Sequence, residues 1–245
     1  QLEGVKWLKF LEEFNWGGCL ADDMGLGKTL QVLTFLQMRK ETNPQSVHLV
    51  VVPTTLIFNW QAEVEKFAPE LRIFVHRGIG RHKNTNAFSQ YDIILTTYGT
   101  LRSDIEHLKD FQFDYVVLDE SQAIKNPNAL TSKAVKLLLA FNRIVMTGTP
   151  VENNTFDLYS QMDFANPGLL GAQDFFRTEF ATPIDKYRDE YAATMLRKLI
   201  HPFILKRTKD EVAKDLPDKT EMTLFCEMGK KQRKVYETYR EVYRQ

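Results

Sequence analysis

The 245-residue sequence contains two cysteines, Cys19 and Cys226. Two are too few for a disulfide framework or, alone, for a zinc site, and they fit a reducing, intracellular setting. No apolar run approaches the ~18 residues of a membrane span. No charged-then-apolar leader opens the chain at Gln1, so no secretory signal is expected. Net charge is also missing: 32 Lys and Arg balance 32 Asp and Glu. That balance argues against a domain that grips nucleic acid by bulk positive charge, though not against a local footprint. The five histidines (48, 76, 82, 107, 201) show no metal-ligand spacing. An Asn-x-Lys-Asp guanine signature, internal repeats and low-complexity segments are absent as well. A hydrophobic share of 43% with 26% charged residues excludes dominant disorder.

What is present is a recurring short apolar run: Cys19–Ala21, Val47–Val52, Ile73–Val75, Ile93–Leu95, Tyr115–Leu118 and Ile144–Met146. Strands covered by helices on both faces read as such continuous runs. Amphipathic stretches alternate with them at Lys28–Arg39, Leu56–Phe67, Leu101–Leu108 and Leu130–Leu139. The alternation predicts an α/β fold: a parallel sheet with helices on both faces and chemistry just beyond the strand ends. After Pro150 the runs give way to aromatic-rich helical stretches at Phe156–Phe164, Phe175–Phe180 and Tyr187–Ile200. This predicts a helical extension beyond the sheet. A short alternation at Glu221–Phe225 and a charged helix from Lys230 follow. Charge is uneven: residues 197–245 carry 13 basic and 8 acidic side chains.

Three segments carry chemistry. The first is Ala21-Asp22-Asp23-Met24-Gly25-Leu26-Gly27-Lys28-Thr29, between a strand and a helix. Glycines there let backbone N–H groups turn toward phosphates, and the helix N-terminus adds a positive dipole. Lys28 would reach the β- and γ-phosphates of a nucleotide and Thr29 would ligate Mg²⁺. Asp22 stands where the common phosphate-loop pattern has its first glycine. Gly-x-Gly-Lys-[Ser/Thr] arises by chance in about one chain in a hundred of this length. The second segment is Phe113–Gln122, where an apolar strand delivers Asp119 and Glu120. Asp119 would hold Mg²⁺ and Glu120 would orient the attacking water. The third is Met146-Thr147-Gly148-Thr149-Pro150. Its hydroxyls can sense the γ-phosphate or bond Glu120 or Gln122. Two weaker segments, Val52–Trp60 and Leu95–Thr100, put hydroxyls and a helix start past a strand. They can grip phosphodiesters or simply cap helices.

In this order the motifs resemble those of the SWI/SNF-type ATPases of helicase superfamily two. Gln1-x-x-Gly4-Val5-x-Trp7 resembles the family's adenine-reading segment. Asp-x-Met-Gly-Leu-Gly-Lys-Thr (22–29), Pro-Thr-x-Leu (53–56), Thr-Thr-Tyr (96–98), Asp-Glu-Ser-Gln (119–122) and Thr-Gly-Thr-Pro (147–150) resemble its core motifs. Asn166–Gly171 and His201–Lys209 look like its helical protrusion, and Leu216–Lys219 like its lead into a second lobe. Asp23 stands where the family more often has Glu, and Gln122 replaces a commoner His. The resemblance implies a RecA-like phosphate-loop lobe at 1–150, a helical protrusion at 151–220 and a link into a second RecA-like lobe at 221–245. It implies a helicase-like, DNA-dependent ATP hydrolase that translocates on double-stranded DNA and remodels DNA-bound protein complexes. No membrane partner is expected. The setting would be the cytoplasm or nucleoid of a prokaryote or a eukaryotic nucleus. Gln1 and residues 22–29 would bind nucleotide, while Gln122, Thr147, Gly148 and Thr149 would relay its state. Thr54, Asn59, Thr97, Tyr98, Lys206 and Arg207 would contact DNA, and the second lobe would supply the missing arginines. Residues 1–245 alone would hydrolyse ATP very slowly. A metabolic phosphate-loop kinase and a non-hydrolysing nucleotide-binding scaffold are the alternatives.

Overall fold

The computed structural model describes residues 1–78, 80–81, 84–148, 155–212 and 226–243. The chain divides into two compact units, Gln1–Val212 and Ala213–Gln245. The described residues of the first unit contain seven strands: β1 (Gly18–Leu20), β2 (His48–Val52), β3 (Ile73–His76), β4 (Ile93–Thr97), β5 (Gln112–Leu118), β6 (Leu139–Met146) and β7 (Ile204–Leu205). They form one sheet in the order β3-β4-β2-β5-β6-β1-β7. Every pairing is parallel. Successive residues point to opposite faces of a strand, so β2 feeds two cores. Leu49 and Val51 join one, packed with α4 (Tyr98–Leu108), α5 (Leu130–Lys136) and α6 (Thr155–Ala165). Val50 and Val52 join the other, packed with α1 (Leu2–Glu13), α2 (Lys28–Thr42) and α3 (Ile57–Phe67).

Beyond α6 come α7 (Gln173–Phe176), a π-helical turn, α8 (Thr182–Tyr187), α9 (Glu190–Ile200) and the one-turn α10 (Lys209–Val212). Asn166 anchors this stretch. Its side chain accepts from the Gly17 N–H at 2.7 Å and donates to the Gly17 carbonyl at 2.9 Å, a reciprocal pair that imitates a strand rung. The described part of the second unit holds α11 (Lys230–Val242).

The sequence-based outline needs three corrections. The stretch after Pro150 is not helical throughout: Ile204 and Leu205 return to the sheet as β7, beside β1. Residues 2–13 form a helix that the pattern reading did not assign. The fifth helix stops at Lys136, and Leu139 opens β6. The alternation at Glu221–Phe225 lies outside the described residues, as do Thr149 and Pro150.

Candidate nucleotide site

The parallel order places the ends of β1, β2, β4, β5 and β6 on one edge, and the motif residues gather there. β1 runs into the loop Ala21–Gly27. Gly25 and Gly27 take φ of +88° and +78°, the left-handed region that glycine enters without a Cβ clash. A side chain on Gly27 would also strike the Gln1 amide, whose Nε2 lies 2.6 Å from that Cβ position. α2 begins at Lys28. The Lys28 ammonium donates to the carbonyls of Asp22 at 2.6 Å and Asp23 at 3.3 Å, so it sits inside the loop.

A cleft of about 340 Å³ opens over this loop. Met24, Gly25, Gly27, Lys28 and Thr29 form its floor, and Asp119 and Glu120 face them. Leu56, Asn59 and Glu63, on or just before α3, form a wall that sequence reasoning did not foresee. The signal was there in part: Asn59 and Glu63 are four apart on a helix and share a face. Among the described residues lining the cleft, Lys28 is the one cation. Helix dipole, backbone N–H groups, an ammonium, a hydroxyl and three carboxylates, Glu63, Asp119 and Glu120, suit a polyphosphate held with a hard divalent ion.

Asp119 is only 6% exposed. The Trp60 indole N–H donates to its Oδ2 at 2.8 Å, and the Glu120 N–H donates to Oδ1 at 2.9 Å. The Tyr98 hydroxyl donates to its carbonyl oxygen at 2.7 Å. Burial pushes the Asp119 carboxyl above the ordinary carboxylate range; the Trp60 hydrogen bond opposes that rise. Glu120 takes φ +48°, an unfavourable conformation for a side-chain-bearing residue that turns the chain sharply after β5. Gln122 Nε2 donates to Glu120 Oε2 at 2.7 Å, and its Oε1 accepts from the Thr147 hydroxyl at 3.4 Å. One amide thus joins the β5 end to the β6 end. A Cβ on Gly148 would lie 3.3 Å from Met24, so the third motif reaches the phosphate loop too.

Three residues expected on DNA are turned inward. Thr97 is buried and caps α4, its hydroxyl accepting from the Thr100 N–H at 3.1 Å. Tyr98 is buried, its hydroxyl occupied by Asp119. Arg207 is bound to Asp22. Thr54, Asn59 and Lys206 are exposed, and Asn59 faces the cleft.

Fold and site together define a phosphate-loop NTPase lobe of the RecA-like kind. The model of the SNF2-related domain matches residues 1–245. The chain belongs to the SNF2-related domain family. It is 40% identical over 243 residues to the putative ATP-dependent helicase/translocase YwqA of Bacillus subtilis, across 97% of this chain and 26% of that protein. Identity is 36% over 260 residues to the TATA-binding protein-associated factor mot1 of Schizosaccharomyces pombe, across 96% of this chain and 13% of that protein. Among solved structures, the SWI2/SNF2 ATPase core of Sulfolobus solfataricus in complex with dsDNA superposes with a TM-score of 0.81 at 44% identity. It covers 98% of this chain and 50% of that one. The chain therefore spans at most about a quarter of these curated relatives and half of that solved core.

Proposed function

We propose that this chain is the nucleotide-binding lobe of a DNA-dependent ATPase that translocates on double-stranded DNA and remodels DNA-bound protein complexes. The observation that carries the reading is the convergence of Lys28, Thr29, Asp119 and Glu120 on one cleft at the ends of parallel strands. Similarity to a core solved on duplex DNA supports the DNA part.

ATP would lie along the loop with its phosphates on the N–H groups of residues 25–29. Lys28 then leaves the Asp22 and Asp23 carbonyls for the phosphoryl oxygens. The oxygen donors of Thr29 and Asp119 suit magnesium, which prefers hard ligands and retains several waters. The chemistry magnesium supplies when bound is neutralisation of phosphate charge. Glu120, aimed by its backbone conformation and by Gln122, orients the attacking water and takes up its proton. Gln122 reports the position of Glu120 to Thr147, and Thr149 would extend that relay. Lys28 as the one described cation in the cleft leaves room for an arginine brought by a second RecA-like lobe. Thr54 and Lys206 remain the exposed residues best placed to meet a DNA backbone, with Asn59 nearer the nucleotide. The reaction belongs wherever the cell keeps its DNA, nucleoid or nucleus.

The test is ATP hydrolysis by the full-length protein with and without double-stranded DNA. Wild type should be stimulated, whereas Lys28→Ala and Glu120→Gln should lose turnover, ~10²-fold or more. A phosphorylated small-molecule product would favour a kinase, and failure to bind a labelled ATP analogue would favour a scaffold.

A further inference from the structure

Asp22 breaks the common phosphate-loop pattern, and its side chain is wholly buried. A buried carboxylate beside a polyanion site is doubly unfavourable, because it loses hydration and repels the ligand. Arg207 offsets both penalties. Its backbone N–H and its Nε each donate to Asp22 Oδ1 at 3.0 Å, and Nη2 donates to Oδ2. Nη2 also donates to Gln31 Oε1 at 2.8 Å. Gln31, buried on α2, turns its Nε2 toward Asp22 Oδ2 at 3.3 Å and toward the Leu26 and Gly27 carbonyls at 3.4 and 3.3 Å. The backbones are joined as well. The Ala21 N–H donates to the Leu205 carbonyl at 2.7 Å, Asp23 N–H to the Arg207 carbonyl at 3.0 Å, and Lys209 N–H to Asp23 Oδ2 at 2.9 Å. Residues 205–209 therefore lie bond for bond along residues 21–23. The Asp22 carbonyl, on the same residue that Arg207 grips, is where Lys28 rests.

We propose that Arg207 is a positioning residue for the phosphate loop. Its guanidinium neutralises Asp22, and with the Gln31 amide it fixes the loop on which the nucleotide sits, so the seating of residues 204–209 beside β1 sets nucleotide affinity. This role rests on the nucleotide reading above, and Arg207 itself does not line the cleft. It explains why a basic residue that looked like a DNA contact is turned inward.

The experiment measures equilibrium binding of a fluorescent ATP analogue and amide hydrogen exchange of residues 21–27. It uses the full chain as wild type, Arg207→Lys and Arg207→Gln, with folding checked by circular dichroism at the assay temperature. Arg207→Gln should raise Kd roughly tenfold or more, because it leaves a buried carboxylate unpaired. Arg207→Lys keeps the charge but loses the fork, and should fall between it and wild type. Loop amides should exchange faster in both, while those of β2 and β5 keep their protection. The double variant Asp22→Asn/Arg207→Gln should recover part of the affinity, since no charge is left stranded. Wild-type Kd in folded Arg207→Lys and Arg207→Gln would overturn the proposal, as would protection lost equally across the sheet. If Arg207→Gln does not fold, Arg207→Lys decides alone. A wild-type chain that binds no analogue would overturn the nucleotide reading first, and this role with it.

Discussion

Trp60→Phe is the sharpest available probe of the candidate site. Trp60 is fully buried, so the smaller ring keeps most of its apolar contacts and exposes no new face. What the change removes is the indole N–H that Asp119 Oδ2 accepts at 2.8 Å. Asp119 is nearly buried and gains little replacement from solvent. A hydrogen bond to a charged group contributes about 1.5–3 kcal/mol, which corresponds to roughly a 10- to 150-fold effect. That loss should fall on the ionised carboxylate and hence on magnesium-dependent steps. In the full-length enzyme, the magnesium concentration for half-maximal hydrolysis should rise by at least about tenfold. Thermal unfolding should change far less, because most of the buried surface remains. Adding Trp60→Phe to Asp119→Asn should produce little further loss, since coupled groups are non-additive. Unchanged magnesium dependence in a folded Trp60→Phe enzyme would refute the reasoning.

Three further outcomes follow from the geometry. Burial lowers the His48 imidazole to about 4, with Asp114 opposing that shift, so the folded state holds His48 neutral. An unfolded histidine protonates near 6.5. The stability gained is therefore complete above about pH 6.5 and lost as pH falls toward 4, up to about 3 kcal/mol. His48→Leu should narrow its Tm gap to wild type, or reverse it, across that window; a gap constant with pH would contradict this. A Cβ on Gly4 would lie 1.7 Å from Gln31 Oε1, so Gly4→Ala must displace Gln31. It should lower stability by about 1–3 kcal/mol in denaturant melts, and a melt indistinguishable from wild type would show that Gln31 moves freely. Gln122→Ala unties Glu120 from Thr147; kcat should fall by about tenfold with nucleotide affinity kept, and a loss confined to KM would count against the relay.

The parallel sheet was legible because strands buried on both faces need unbroken apolar runs, as at Leu49–Val52 and Val116–Leu118. The phosphate loop and the Asp119–Glu120 pair were legible because their chemistry fixes residue type and spacing locally. β7 was not legible. Two residues carry no period, and Ile204 enters the sheet only because β1 offers an edge. The first helix had its signal in Val5, Leu8 and Leu11, all buried, but the segment was read for ligand chemistry instead. The cap made by Thr97 was one of the two readings its segment offered, whereas the inward turns of Tyr98 and Arg207 were hidden for a different reason. A hydroxyl after a strand or an arginine in a basic run looks the same whether it meets solvent or a neighbour. Which one it meets is decided by residues far away in sequence, here Asp119 and Asp22. Glu63 was passed over although it shares a helix face with Asn59, and the Trp60–Asp119 hydrogen bond was missed because its partners, 59 residues apart, meet only through tertiary packing.

The placement of β1 has a consequence for synthesis. Its three residues lie between β6 and β7, with Cys19 opposite Val145 on one side and Ile204 on the other. Within this lobe the phosphate loop is made before β6 and β7, so the strand that carries it has no sheet partner until those distant residues emerge. Such long-range pairing closes late and slowly. A nascent chain that has not reached Arg207 also leaves Asp22 without its partner. On the proposed function, nucleotide capture would wait for Arg207, so a product truncated before it would carry the motif without the completed Asp22 contact.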